Sequence, residues 1–134
     1  MMDTQKTLLL TGASRGIGHA TVSFFSEKNW EIITCSREAP PEECLRDLNW
    51  SHHITTDLAD TSSIDAFIKE ANAFLGDRPL HGLVNNAGWS PKSPIQERLG
   101  CLNGNLDAWR TVFELNFFAP LRLARGFASS LTKG

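Results

Sequence analysis

The run Thr11-Gly12-Ala13-Ser14-Arg15-Gly16-Ile17-Gly18 constrains this chain more than any other feature. It follows directly on an apolar stretch, Leu8-Leu9-Leu10, and leads directly into a helical pattern, so it reads as a tight turn from strand to helix. Glycines let the backbone reverse, approach a ligand with no Cβ in the way and pack the new helix close to its strand. Free N–H groups at the helix start then attract an anion. The physical reading is a loop for the phosphates of a dinucleotide. A glycine-rich loop alone also fits tight turns in unrelated proteins, so its weight depends on its surroundings.

Those surroundings alternate. Thr7 to Leu10 reads as a first strand, Ile17 to Lys28 as a helix, Glu31 to Cys35 as a second strand, and Pro41 to Leu48 as a short Pro-initiated helix. His53 to Thr56 follows as a third strand, a helix capped by Ser62 or Ser63 runs through Phe74, and Gly82 to Asn85 forms a fourth strand. Such alternation with short connections predicts a parallel sheet with helices on both faces, joined by right-handed crossovers. In the first helix, Ile17, Ala20, Phe24 and Phe25 are expected to face the sheet. Trp89 to Asn105, punctuated by Pro91, Pro94, Gly100 and Gly104, reads as a loop with one ragged turn. Asn105 then caps a long helix to about Leu131, interrupted by Pro120.

At 134 residues with 41% hydrophobic composition, residues 1–134 suffice for one domain with a single core. A formal net charge of −2 and intermixed charges leave no basic stripe for nucleic acid and no polybasic segment for a membrane surface. No apolar stretch approaches the roughly 20 residues of a bilayer span, and Met1 to Thr11 has no signal-peptide pattern; a soluble cytoplasmic protein is expected. Cys35, Cys44 and Cys101 have no Cys-x-x-Cys spacing and read as free thiols. Adjacent His52 and His53 point to opposite faces of a strand, so with His19 and His81 elsewhere no metal site is expected.

The spacing Gly-x-x-x-Gly-x-Gly in residues 12–18, together with Asn85-Asn86-Ala87-Gly88 closing the fourth strand, resembles the short-chain dehydrogenase/reductase family. The resemblance spans essentially the whole chain and about the first half of the family's domain. It implies an α/β fold, a Rossmann-type doubly wound parallel sheet in three α/β/α layers, here stopping before a fifth strand. It also implies that Gly12, Ser14, Arg15, Gly16, Ile17 and Gly18 wrap the cofactor's phosphates, that Asp57 and Leu58 meet the adenine ring, and that Asn86, Ala87 and Gly88 line the ribose on the nicotinamide side. Taken by themselves, Ser14 and Asp57 are equally well explained as turn formers.

Cofactor choice is decided at the end of the second strand. An acidic side chain there accepts from the ribose 2′-hydroxyl of NAD and repels a 2′-phosphate. Here the residues are Ser36-Arg37, a guanidinium pairs with a phosphate, and Arg15 approaches from the other side. NADP(H) is therefore expected over NAD(H). A shift of one or two residues in strand register would bring Glu38 to the deciding position and leave Arg37 a solvated charge.

By resemblance, Asn116 matches the family's catalytic asparagine, whose main-chain carbonyl holds a water in a proton relay. Pro120 has no N–H to bond the carbonyl four residues earlier, which belongs to Asn116. The kink would thus leave that acceptor free, although Pro120 also suits a plain bend in a packed helix.

The family transfers hydride between a nicotinamide and a carbonyl or alcohol substrate, using a tyrosine, a lysine and a serine that follow a fifth strand. This chain contains no tyrosine. The 134 residues are therefore expected to be inactive alone and to be a segment of a longer NADP(H)-dependent oxidoreductase acting on a small carbonyl or alcohol. The alternatives are a non-catalytic NADP(H)-binding or regulatory module, and an interaction fragment docking through its long helix. Resemblance also implies a homo-oligomer, a dimer or tetramer.

Overall fold

A computed structural model describes residues 4–47 and 50–134 of the chain. Four strands, β1 (Thr7–Thr11), β2 (Glu31–Ser36), β3 (Trp50–Thr55) and β4 (Gly82–Val84), form one sheet in the order β3-β2-β1-β4. Every pairing is parallel, with Leu9 facing Ile33 on one side and Leu83 on the other. The strand order reverses beside β1, and such a reversal opens a crevice at the carboxyl ends of the strands. Between and after the strands lie α1 (Gly16–Glu27), α2 (Glu42–Asp47), α3 (Thr61–Leu75), α4 (Leu106–Phe113), a π-helical turn (Glu114–Phe118), α5 (Ala119–Gly126) and α6 (Ala128–Lys133).

Alternation along the strands sends successive side chains to opposite faces. Leu9, Ile33, Cys35 and Ile54 pack beneath Phe67, Ala71 and Leu75 of α3 and beneath Leu123 and Phe127. On the other face Leu10 and Ile32 meet Ala13 and Val22, with Phe25 and Trp30 half-buried around them. Helices thus cover both faces, the expected three layers. The first face carries most of the core, since each fully buried aromatic or branched side chain contributes about 1.5–3 kcal/mol. There α3 and α5 cross closely: a Cβ on Gly126 would stand 2.7 Å from Ile68 Cδ1, and Asn72 Nδ2 donates to the Gly126 carbonyl at 3.1 Å.

Four expectations about local structure change. Ile17 is 79% exposed and Phe24 55% exposed, and Ala20 is also exposed; Gly18 and Val22 are the buried residues of α1, with Phe25 beside them. The cause is steric, because the glycine at 18 fits against the Gly12 carbonyl and rotates Ile17 outward. The cap of α3 is Asp60, whose carboxylate accepts from Ser62 N–H at 2.9 Å, while the Ser63 hydroxyl accepts from Asp57 N–H. Strand β3 begins at Trp50, earlier than His53, with a register shift against β2 between Ile32 and Ile33. The long helix does not simply kink at Pro120. It widens into the π turn, where Ala119 N–H reaches the Glu114 carbonyl five residues back, and α5 takes Pro120 into its first turn, where a missing N–H costs little. The expected end of α2, Leu48, lies outside the described residues.

The apolar pattern after Asn105 also behaves differently from a core helix. Asn105 does cap α4, accepting from Ala108 N–H at 3.0 Å, yet no residue of α4 is buried, and Leu106, Phe113 and Phe117 stand exposed.

Candidate functional site

A cleft of about 610 Å³ opens at the carboxyl ends of the four strands, within the size range of small-molecule and cofactor pockets. Its floor is the glycine turn. Gly12 has φ +70°, and its N–H donates to the Cys35 carbonyl at 2.9 Å, tying the turn to the neighbouring strand. A Cβ on Gly12 would lie 3.0 Å from Ala87 Cα, and one on Gly18 only 2.0 Å from the Gly12 oxygen. At Gly18 the backbone oxygen leaves no room for a side chain, and at Gly12 a side chain would both press on Ala87 and strain a positive φ.

The ends of β1 and β4 are bolted together by polar groups. The Thr11 hydroxyl accepts from Asn86 N–H at 3.1 Å and Ala87 N–H at 3.0 Å, while Asn86 Nδ2 donates to the Thr11 and Gly12 carbonyls, each at 3.1 Å. Asn86 thus ties the two strand ends through its side chain. Thr11 was not singled out; a buried hydroxyl at the last position of a strand, beside a small-residue strand end, was the available signal.

Of the residues picked from sequence, Gly12, Ser14, Arg15, Gly16 and Ile17 line the cleft from β1 and α1. Of the others lining it, Ser36 ends β2 and Arg37 follows it, Asp57 and Leu58 follow β3, and Asn86, Ala87 and Gly88 follow β4. Arg15, the cap of α1, and Arg37, just past β2, are both exposed there, and Glu38 lines the same wall. The Ser36 hydroxyl donates to the Glu38 carbonyl, which folds this short segment back on the strand. Asp57 is a turn former and a cleft residue at once, since its carboxylate accepts from Ala59 N–H at 2.9 Å. Leu58 is almost wholly buried in the core.

Gly18 and Asn116 are not part of the lining. Gly18 supports the turn from behind. Asn116, in the π turn, makes a two-point clamp: its Oδ1 accepts from Trp89 N–H at 2.9 Å and its Nδ2 donates to the Trp89 carbonyl at 2.8 Å. Trp89 lines the cleft, as do Thr111 of α4 and Leu115 of the π turn. None of these three was singled out from sequence as a site residue, because only the tertiary fold brings the helix over the end of β4.

Two titratable groups lie beneath the cleft. Burial pushes the Cys35 thiol up to about 12, with a backbone hydrogen bond from Gly12 working the other way. His53, with Nδ1 2.7 Å from the Thr34 hydroxyl and Nε2 3.4 Å from that of Ser36, is held below the usual imidazole range by burial first and by His52 second. Among the described residues no group of His, Cys, Asp and Glu could hold a metal ion, and no helix is long and apolar enough to cross a membrane.

A family model, short chain dehydrogenase, matches residues 6–134. Protein FixR of Bradyrhizobium diazoefficiens is 46% identical over 127 residues, covering 94% of this chain and 46% of FixR. A crystal structure of an oxidoreductase of the short chain dehydrogenase/reductase family from Brucella ovis, in complex with a partially ordered NAD, is 44% identical. It superposes with a TM-score of 0.84, over 97% of this chain and 59% of that one. A metagenomic short-chain oxidoreductase in complex with NADP is 25% identical, with a TM-score of 0.78 over 93% of this chain and 56% of that one. The chain spans about half the length of the curated relatives it matches. The glycine turn, the Asn86 bolt and the order of the four strands thus come with a match along nearly the full sequence, and the chain belongs to the short-chain dehydrogenase family.

Proposed function

We propose that this chain forms the dinucleotide-binding part of an NADP(H)-dependent oxidoreductase that acts on a small carbonyl or alcohol. The observation that carries the reading is the cleft wall in which Arg15, at the cap of α1, and Arg37, just past β2, stand beside a glycine turn whose backbone is packed closely at Gly12 and Gly18. Gly12, Gly16 and Gly18 let backbone N–H groups approach a pyrophosphate, with Ser14 adding a hydroxyl. Arg37 and Arg15 offer planar guanidinium groups to a 2′-phosphate. Asp57 meets the adenine side, and Asn86, Ala87 and Gly88 line the ribose side of the nicotinamide, whose chemistry when bound is reversible hydride transfer to carbon.

Asn116 holds Trp89 in place beside Gly88 and keeps a main-chain carbonyl that Pro120 has no N–H to reach. In this reading that carbonyl orients a water in the proton relay. The tyrosine that serves the family as proton donor is not among these 134 residues, which in this reading supply the binding and positioning part of the reaction. Exposed Leu106, Phe113 and Phe117 fit assembly into a dimer or tetramer, which sedimentation analysis tests.

The competing reading is NAD(H), favoured by Glu38 on the same wall, whose carboxylate suits a ribose hydroxyl. Titration of NADPH and NADH against Arg37→Asp and Glu38→Ala separates the two. NADP(H) selection predicts that Arg37→Asp weakens NADPH by about tenfold or more, the worth of one charge-assisted pair, and leaves NADH little changed. An unchanged ratio overturns it.

A further inference from the structure

Three thiols in this chain sit in three environments. Cys35 is fully buried on β2, where burial holds its thiol protonated. Cys101 is exposed in the loop before α4. Cys44 is half-buried on α2, and its Sγ stands 3.0 Å from His19 Nε2 on α1. A nucleophile and a base at this separation can pass a proton directly.

The pair also occupies a particular place. His19 lies one helical turn beyond Arg15, its N–H donating to the Arg15 carbonyl at 3.3 Å. Cys44 N–H donates to the Pro41 carbonyl at 3.0 Å, at the end of the short stretch that begins with Arg37 and Glu38. The contact therefore joins the two segments that carry the charged wall of the cleft. Charged residues along these elements are Arg15 at the cap of α1 and Glu27 at its far end, and Glu42 and Glu43 in the first turn of α2, with Arg46 and Asp47 following them in the sequence.

We propose that Cys44 is a site of reversible thiol–disulfide exchange with a low-molecular-weight disulfide such as glutathione disulfide, with His19 as its base. The Cys44 proton passes to His19 Nε2 as the sulfur attacks one sulfur of the disulfide. The S–S bond of the small molecule breaks, and a new one forms to Cys44 Sγ. The departing half leaves as a thiolate and takes the proton back from the imidazolium, so Cys44 is oxidised and that half is reduced. The mixed disulfide puts a bulky group where α1 and α2 meet. Its effect on the cleft rests on the dinucleotide reading: the charged wall is displaced and nucleotide binding weakens.

Glutathione disulfide, with peptide mass mapping of each cysteine over time, provides the test. Near pH 7 Cys44 is expected to react several-fold faster than exposed Cys101, and Cys35 not at all. His19→Asn should slow Cys44 by about tenfold, the low end of what a positioned base supplies, while Cys101 keeps its rate. At about pH 9.5, where thiols ionise unaided, that deficit should largely vanish. A deficit equal at both pH values means altered access and overturns the role of His19. Equal rates for Cys44 and Cys101 in the unsubstituted protein overturn the proposal without any variant. Titration of NADPH before and after modification reads the consequence. Binding by the unmodified protein tests the dinucleotide reading itself, a several-fold loss after modification supports the coupling, and unchanged affinity overturns it.

Discussion

The two walls of the cleft are held by opposite means. On the side of β1 and α1, backbone lies against backbone, with Gly18 pressed on the Gly12 carbonyl and Gly12 on Ala87. On the side of α4 and the π turn, contact with the end of β4 runs through the side chain of Asn116, whose amide grips both backbone groups of Trp89. The first wall has no side chain to readjust. The second rests on two hydrogen bonds at an exposed position and on a helix whose apolar residues are not buried. A cleft built this way has one end fixed by backbone contact at the glycine turn and an opposite end held by side-chain hydrogen bonds.

Substitutions that break this contrast should differ sharply in cost. Gly18→Ala forces a Cβ to 2.0 Å from a backbone oxygen, and chemical denaturation should show a loss of about 3 kcal/mol or more, or no folded protein. Gly16→Ala, where a Cβ meets nothing within 4 Å but φ is +60°, should cost about 1 kcal/mol from backbone strain alone. If the two cost the same, the first wall is not defined by close approach. Asn116→Ala removes both bonds to Trp89 from an exposed site and should cost about 1 kcal/mol by the same assay. It should also raise hydrogen exchange at Trp89 N–H while leaving Gly12 N–H protected. Equal loosening of both amides would mean that the walls are coupled.

The smallest effect concerns pH. His53 is held below the usual imidazole value by burial first, so the unfolded chain binds the proton more readily than the fold does. Its stability contribution is complete above about pH 6.5 and declines as pH falls below that value. Thermal midpoints from pH 8 down to about pH 5 should therefore drop more in the unsubstituted protein than in His53→Gln, and parallel curves would remove His53 from the account. Because the Ser36 hydroxyl near His53 also donates to the Glu38 carbonyl, the substitution tests whether the charged wall leans on this network.

Much of the molecule was legible in the chain. Leu8-Leu9-Leu10 followed by Gly12, Gly16 and Gly18 specified β1, the turn and α1, because period, glycine placement and length agree there. Every cofactor residue picked from sequence except Gly18 lines one cleft, and Gly18 supports its turn from behind. On α1 hydrophobicity alone points Ile17 and Phe24 at the sheet, whereas the closest contact is made by a residue with no side chain. Asp60, Ser62 and Ser63 all satisfy the residue preference for a cap, and only the structure selects Asp60.

The order of apolar runs and turn residues therefore determined a parallel α/β sheet with a glycine turn after its first strand, since these are local preferences repeated along the chain. Only the tertiary structure decided that Thr11 and Asn86 join β1 to β4, that Asn116 clamps Trp89, and that Cys44 meets His19. Each of these contacts pairs residues separated by 25 to 75 positions. Hydrogen bonds over such separations depend on where whole elements pack, and no periodicity in the sequence encodes that packing.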